Sequence, residues 1–430
     1  MIHSSSFVLV ALSLPVAAIA QQKPPSGREL DQLVASYVSQ DARSDEGQRE
    51  RAAILARLQT VPPLDARAVA AWTKKIDKLL GKGATLQKSG DNWFWPADKK
   101  TGQPDRGRYI VGGETKKPKG LLIAMHGGGV GSADAGGAAS SYGPAASHFD
   151  WVMIAPQALQ ATERGWTDSG TEEFVLDLVD AALRTWKLDP DKVFFAGHSM
   201  GGYGSWTLGA HHADRLAAIA PSAGAPTPIQ SKPGGPIIDI AEGVIPSLRN
   251  VFVSVYQSLD DPQVPPAPNQ FAVKQLAAAA VKWGGYEHDY WEVDGRGHAA
   301  PPGGPQAQLE KIAARVREPV PQRIVWQPVL SWKRQFYWLY WQDPVANAVL
   351  VADLDREHNR VSITSDKPTD GLYVLLDARV LDVTKEVAVT VNGAEVFRGA
   401  VNLDLGTLLL TSAHPDPALR FAARVPAFAR

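Results

Sequence analysis

The chain has 430 residues, with 44 basic side chains against 45 acidic ones and a net charge of −1. That balance leaves no electrostatic footprint for nucleic acid or for an anionic membrane surface. Cysteine is absent, which excludes disulfides, thiolate nucleophiles and thiolate metal sites. The 44% of apolar residues supply ample core, and the length calls for two or three folded units.

Phe7 to Ala20 is an apolar run closing on Ala18-Ile19-Ala20. It is too short to span a bilayer and ends in a small-x-small pattern, so residues 1–20 read as a secretory signal peptide. A soluble periplasmic or secreted protein follows from it. Residues 21–85 read as a helical segment after a Pro24-to-Gly27 linker. Leu30, Leu33, Val34, Tyr37 and Val38 recur at helical spacing, as do Ile54, Leu55 and Leu58. Asp65 caps a third helix through Trp72, Ile76, Leu79 and Leu80, closed by Gly81 and Gly83. This segment carries no chemistry and is expected to brace the unit that follows it.

Residues 86–318 change pattern. Trp93 to Trp95 and Arg108 to Val111 read as antiparallel edge strands. Near-continuous apolar runs follow at 120–125, 151–155, 193–196, 216–220 and 251–256, with a last strand at 288–293. Helical stretches at 172–186, 202–211, 269–283 and 306–315 separate several of them. Such alternation predicts a mostly parallel, doubly wound α/β sheet, with ligands at the carboxyl ends of its strands. Ala225 to Asn250 is a Pro- and Gly-rich insertion, a lid or a surface loop, that is placed to shape one wall of a cleft.

After Pro319-Val320-Pro321 the helical signal stops. Residues 319–430 read as an all-β, sandwich-like domain with strands at 361–363, 371–376, 387–391 and 407–410. Asn392-Gly393 marks a tight hairpin between two of its strands. The aromatic segment Trp332 to Trp341 is expected to bury its rings against a neighbouring sheet; an exposed platform for sugar rings is the other reading.

The chemistry gathers at Gly197-His198-Ser199-Met200-Gly201-Gly202, directly after the apolar run Val193 to Ala196. Strand, Gly-x-Ser-x-Gly, helix is the pattern of a nucleophile elbow, with Ser199 raised on a strained turn and the helix N-terminus aimed at it. A serine hydroxyl needs a base, and the base needs an acid to hold its tautomer. In the chain order Ser, acid, His, the base is His298 in Asp294-Gly295-Arg296-Gly297-His298, and the acid is Asp260 or Asp261 past the strand at 251–256. The spacing to Val264-Pro265 favours Asp261. Two N–H donors must meet the oxyanion. Met200 supplies one, and the His126-Gly127-Gly128-Gly129 loop the other, with Gly128 preferred over Gly127 and Gly129. Trp166 lines the substrate pocket or is a structural loop residue. No metal and no cofactor is called for.

Residues of about 93 to 315 resemble the secreted α/β-hydrolases grouped with prolyl oligopeptidase-type catalytic domains, poly-hydroxyalkanoate depolymerases and feruloyl esterases. The resemblance lies in His126 to Gly129, in Leu188 to Val193 leading into Gly197 to Gly202, and in Asp294 to His298. It implies Ser199, Asp261 and His298 as a triad. The β-propeller of prolyl oligopeptidase has no counterpart here, which weighs against a peptidase. The expectation is a serine hydrolase of carboxylic esters, small or polymer-borne. A peptidase is the alternative, and a non-catalytic binding protein a further one.

Overall fold

The computed structural model describes residues 23–41, 44–412 and 415–429; the expected signal peptide lies outside them. Eight strands form the central sheet: β1 (Gly90–Trp95), β2 (Arg106–Gly113), β3 (Gly120–Met125), β4 (Trp151–Pro156), β5 (Val193–His198), β6 (Ala218–Ser222), β7 (Phe252–Ser258) and β8 (His288–Val293). Their spatial order is β1-β2-β4-β3-β5-β6-β7-β8. β1 and β2 enter antiparallel, and the other pairings are parallel. This is an α/β-hydrolase fold. Every residue of β3 and β4 is buried, as strands covered on both faces require.

The covering helices are α4 (Ala135–His148), α5 (Thr171–Trp186), α6 (Met200–His211), α7 (Ala267–Trp283) and α8 (Gly304–Glu310). α8 stops five residues short of the expected end. α4 was not anticipated from the sequence. Its 14 residues include three glycines and Pro144, a composition that opposes helix. The small face Ala138, Ala145 and Ala146 is buried with Tyr142, so the helix sits close on the sheet, and Asp134 caps it through the Gly137 N–H at 2.9 Å.

Ahead of the sheet stand α1 (Gly27–Ser39), α2 (Asp45–Leu58) and α3 (Ala66–Leu80). Asp65 caps α3 by accepting from the Ala68 N–H at 2.6 Å. The core of this trio is not completed by the central sheet. Val34, Tyr37, Ile54, Leu58 and Ile76 cluster instead with Leu405, Leu408, Leu409 and Ala422, from the far end of the chain. The helices therefore brace the C-terminal part, where the sequence pointed to the unit that follows them.

That part holds two sheets. One runs β9 (Arg323–Trp326), β12 (Leu350–Asp355), β13 (Arg360–Ser365), β15 (Val387–Val391), β16 (Ala394–Gly399). The other runs β10 (Gln335–Phe336), β11 (Leu339–Trp341), β14 (Leu372–Leu376), β17 (Ala423–Pro426). Asn392 and Gly393, at φ 49° and 83°, make the two-residue turn between β15 and β16. Residues 407–410, expected as a strand, belong instead to a short helix, α9 (Leu405–Leu410), while the two sheets of this part are all-β as expected. Three leucines after a threonine show no period; the Asp404 cap on the Thr407 N–H at 2.6 Å sets the helix. Phe336, Tyr337, Trp338 and Trp341 are fully buried, in one core with the central sheet.

Candidate active site

Two neighbouring strand pairs deliver the site. In the β3–β5 register Met125 lies opposite Gly197, so the loop after β3 and the turn after β5 leave the sheet side by side. In the β7–β8 register Ser258 lies opposite Val293, which brings the loops carrying Asp261 and His298 together. All four loops rise from carboxyl ends of strands, where open α/β sheets bind ligands.

Ser199 is held at φ 60°, ψ −124° between β5 and α6, a conformation that costs a non-glycine residue free energy and persists only where the surroundings impose it. The surroundings do. A Cβ on Gly197 would run into the Gly201 carbonyl, and one on Gly201 into that of Met125. The Ser199 N–H donates to the Ser222 carbonyl at 2.9 Å, and its carbonyl accepts from Gly202 and Tyr203 at 2.8 and 3.1 Å. Met200 is the first residue of α6, whose leading N–H groups have no partner within the helix. Partial positive charge gathers there.

His298 Nδ1 lies 2.7 Å from Asp261 Oδ2. The other carboxylate oxygen accepts from the Gln263 and Val264 N–H groups, each at 2.9 Å. Asp260 points elsewhere. Its Oδ1 accepts from the Ser258 hydroxyl at 2.6 Å and from the Arg296 and Gly297 N–H groups at 3.0 and 2.9 Å. The Ser258 bond, then the Gly297 N–H, hold its carboxyl below the ordinary aspartate range. Of the two neighbours, Asp261 meets the imidazole and Asp260 ties down the loop that carries it. The Ser199 hydroxyl makes no hydrogen bond among the described residues.

The His298 ring stands against the elbow through His198, with ring centroids 4.9 Å apart. His198 Nδ1 is 3.0 Å from the Ser222 hydroxyl, and its Nε2 is 3.4 Å from the His298 carbonyl. Burial, then the neighbouring His298, pull its pKa below the ordinary imidazole range.

Of the expected oxyanion loop, Gly127 comes nearest Ser199: a Cβ there would be 3.3 Å from that of Ser199 and 3.1 Å from the His198 carbonyl. Gly128, at φ 137°, pairs with Ala133 in a two-residue ribbon. The loop is fastened by His126, which is buried. Its Nδ1 is 2.7 Å from the Gly127 carbonyl, and its Nε2 accepts from the Ala158 N–H at 3.1 Å. These partners require the neutral, Nδ1-protonated tautomer, and burial lowers its pKa accordingly. The sequence marked His126 only as the start of a glycine run; its partner at Ala158 is 32 residues away.

Trp166 does not line a pocket. It has no exposed surface, its ring lies 4.8 Å from that of His126, and its indole N–H donates to the His126 carbonyl at 3.3 Å. It is a strut under the loop. The insertion after β6 forms a ribbon, Pro228–Gln230 with Ile237–Ile240. With the start of α7 it encloses a groove of about 600 Å³ lined by Pro228, Pro236, Ile237, Pro265 and Phe271.

Among the described residues no three His, Cys, Asp or Glu side chains are grouped to hold a metal ion, and no helix is long and apolar enough to cross a membrane.

No family model and no curated protein matches the chain. Solved structures do. The chain is similar to a thermostable esterase at 19% identity and TM-score 0.39, over 53% of this chain and 63% of that one, under two thirds of its length. It is also similar to a phospholipase/carboxylesterase from Dyadobacter fermentans at 18% and 0.34, over 47% and 95%. A third is a CE1 ferulic acid esterase from Anaeromyces mucronatus, in complex with ferulic acid, at 16% and 0.37, over 54% and 94%.

Proposed function

We propose that this protein hydrolyses carboxylic esters through an acyl-enzyme on Ser199. The observation that carries the reading is the Asp261–His298 bond at 2.7 Å, set beside the strained turn that presents Ser199. The Asp261 carboxylate accepts a hydrogen bond from the His298 Nδ1–H, which keeps the ring proton on Nδ1 and a lone pair on Nε2. Nε2 takes the proton of the Ser199 hydroxyl as its oxygen attacks the ester carbonyl. The charge that develops on the carbonyl oxygen is met by the Met200 N–H and by an N–H of the His126-to-Gly129 loop, Gly128 or its neighbour Gly127. Collapse expels the alcohol, which takes the proton from His298. Water, deprotonated by the same imidazole, then releases the acid and frees Ser199. The apolar run before Gln21 supports export of the protein.

The test is hydrolysis of p-nitrophenyl acetate by the purified protein, with Ser199→Ala and His298→Ala as controls. Turnover that disappears in both variants while near-ultraviolet circular dichroism is unchanged supports the assignment. Full activity in either variant overturns it. Cleavage of peptide anilides in preference to the ester would make the protein a peptidase.

A further inference from the structure

Asp260 and Asp261 hold His298 from one side. Asp260 takes the Arg296 and Gly297 N–H groups, Asp261 takes the imidazole, and both lie on the loop after β7. They fix the base to that loop rather than to Ser199. The segment that carries the base is permissive, with Gly295 and Gly297 at φ 72° and 52°. Joining the base to the nucleophile's own strand is a separate requirement, because a misplacement of about 1 Å at reacting groups costs up to about 10²-fold in rate.

His198 meets it. It ends β5 directly before Ser199, and in the β5–β6 register it lies opposite Ser222, which ends β6. Residues opposite one another on neighbouring strands share a face, so the two side chains meet, with His198 Nδ1 3.0 Å from the Ser222 hydroxyl. On the other edge of the ring, Nε2 is 3.4 Å from the His298 carbonyl. A carbonyl only accepts, so Nε2 carries the ring proton and Nδ1 accepts from the hydroxyl. Ser222 is a firm anchor. It is buried, the Ala223 N–H after it donates to the Tyr256 carbonyl at 2.9 Å, and its own carbonyl accepts the Ser199 N–H at 2.9 Å. One residue thus holds the nucleophile's backbone by its carbonyl and, through His198, the base's backbone by its hydroxyl. We propose that Ser222 and His198 form a positioning bridge that sets His298 over Ser199, a role that rests on the ester-hydrolase reading.

The test compares His198→Phe, which keeps a ring against His298 and drops both hydrogen bonds, with His198→Gln, whose amide N–H reaches about as far as Nε2. In hydrolysis of p-nitrophenyl acetate, kcat should fall roughly tenfold in His198→Phe with KM and melting temperature little changed, and His198→Gln should recover part of the loss. Ser222→Ala alone should lower kcat by a smaller factor, yet add little to His198→Phe, as members of one bridge must. It also decides the matter alone if the ring variant does not fold. The rate at which a fluorophosphonate labels Ser199 should follow the same order, since it needs the activated hydroxyl and no particular substrate. Labelling in that order without ester turnover overturns the ester reading and supports the bridge. Wild-type kcat in folded His198→Phe or Ser222→Ala, a loss confined to KM, or strictly additive losses in the double variant overturn the bridge. Absence of both turnover and labelling in the wild type overturns the Ser199 centre and the bridge together.

Discussion

One oxygen of Asp261 meets His298 Nδ1 at 2.7 Å while the other is held by two backbone N–H groups of its own loop. The carboxylate is therefore oriented before any substrate arrives. Asp261→Asn keeps an acceptor for the loop but turns an amide toward the imidazole, which places the ring proton on Nε2, where it blocks proton transfer from Ser199. Ester turnover should fall by roughly 10³–10⁴-fold with little change in melting temperature. Asp260→Asn loosens the loop under His298 and should cost about tenfold. A larger loss at Asp260 than at Asp261 would reverse the assignment of the acid.

Gly127 offers a finer probe of the oxyanion loop. Its backbone does not require glycine, yet a Cβ there would press on Ser199 and on the His198 carbonyl at 3.3 and 3.1 Å. The neighbours must yield by a few tenths of an ångström, which the fold tolerates better than the geometry around the reacting carbon does. Gly127→Ala should keep its melting temperature within a few degrees and lose about 10²-fold in kcat. Wild-type kcat in a folded Gly127→Ala protein would show that the loop does not approach the reaction. Gly197→Ala and Gly201→Ala are a different case, because their Cβ atoms would meet fixed backbone, and neither should yield soluble protein.

The strand–turn–helix at 193–211 was legible because its physics is local: a buried apolar run, two glycines that the turn cannot do without, and a helix after them. That the loops of the site rise from the carboxyl ends of parallel strands followed from the alternation of strands and helices. What stayed hidden depends on distant partners. α4 forms from Gly- and Ala-rich sequence because a small face fits the sheet, and the tertiary fit outweighs propensity. The roles of His126 and His198 come from Ala158, Ser222 and the His298 carbonyl. Trp166 looked free to face a ligand only because nothing near it in sequence announces the His126 carbonyl. α1 to α3 found their core at the opposite end of the chain, which no local pattern foretells.

His212 ties stability to pH. Its ring is buried between Glu172, which accepts at 2.8 Å from Nε2, and the stacked Trp332, with His211, Lys333, Asp214 and Arg215 nearby. Its Nδ1 is buried without a partner among the described residues, so a second proton would be stranded there. Burial, opposed by the Glu172 bond, pulls its pKa from 6.5 to about 4. The unfolded chain therefore takes up the proton first on acidification. The contribution is complete above about pH 6.5 and is lost as the pH falls toward 4, amounting to about 2 kcal/mol between pH 7 and pH 5. His212→Gln keeps an N–H for Glu172 and has no titration in this range. Denaturant midpoints at the two pH values should separate by less in His212→Gln than in the wild type; equal separations would mean that the ring does not titrate in the folded protein's disfavour.

Arg317 fastens the C-terminal part to the α/β sheet from inside. Its guanidinium reaches Asp191 at 2.6 Å, Asp416 at 2.7 Å and the Asp214 carbonyl at 2.7 Å, and both Arg317 and Asp416 are almost wholly buried. Removing one partner of such a pair leaves a charge that cannot be hydrated, so Arg317→Met should cost about 3–5 kcal/mol in chemical denaturation. Asp416→Asn relieves that stranded charge while keeping the Oδ1 acceptor for the Ala418 N–H, which it now serves at 2.9 Å. Arg317→Met with Asp416→Asn should therefore be more stable than Arg317→Met alone, a non-additivity on the order of 1 kcal/mol or more. Strictly additive costs would show that the two side chains act separately. The junction would then rest on apolar contact around Trp326, Phe336 and Tyr337 rather than on this ion cluster.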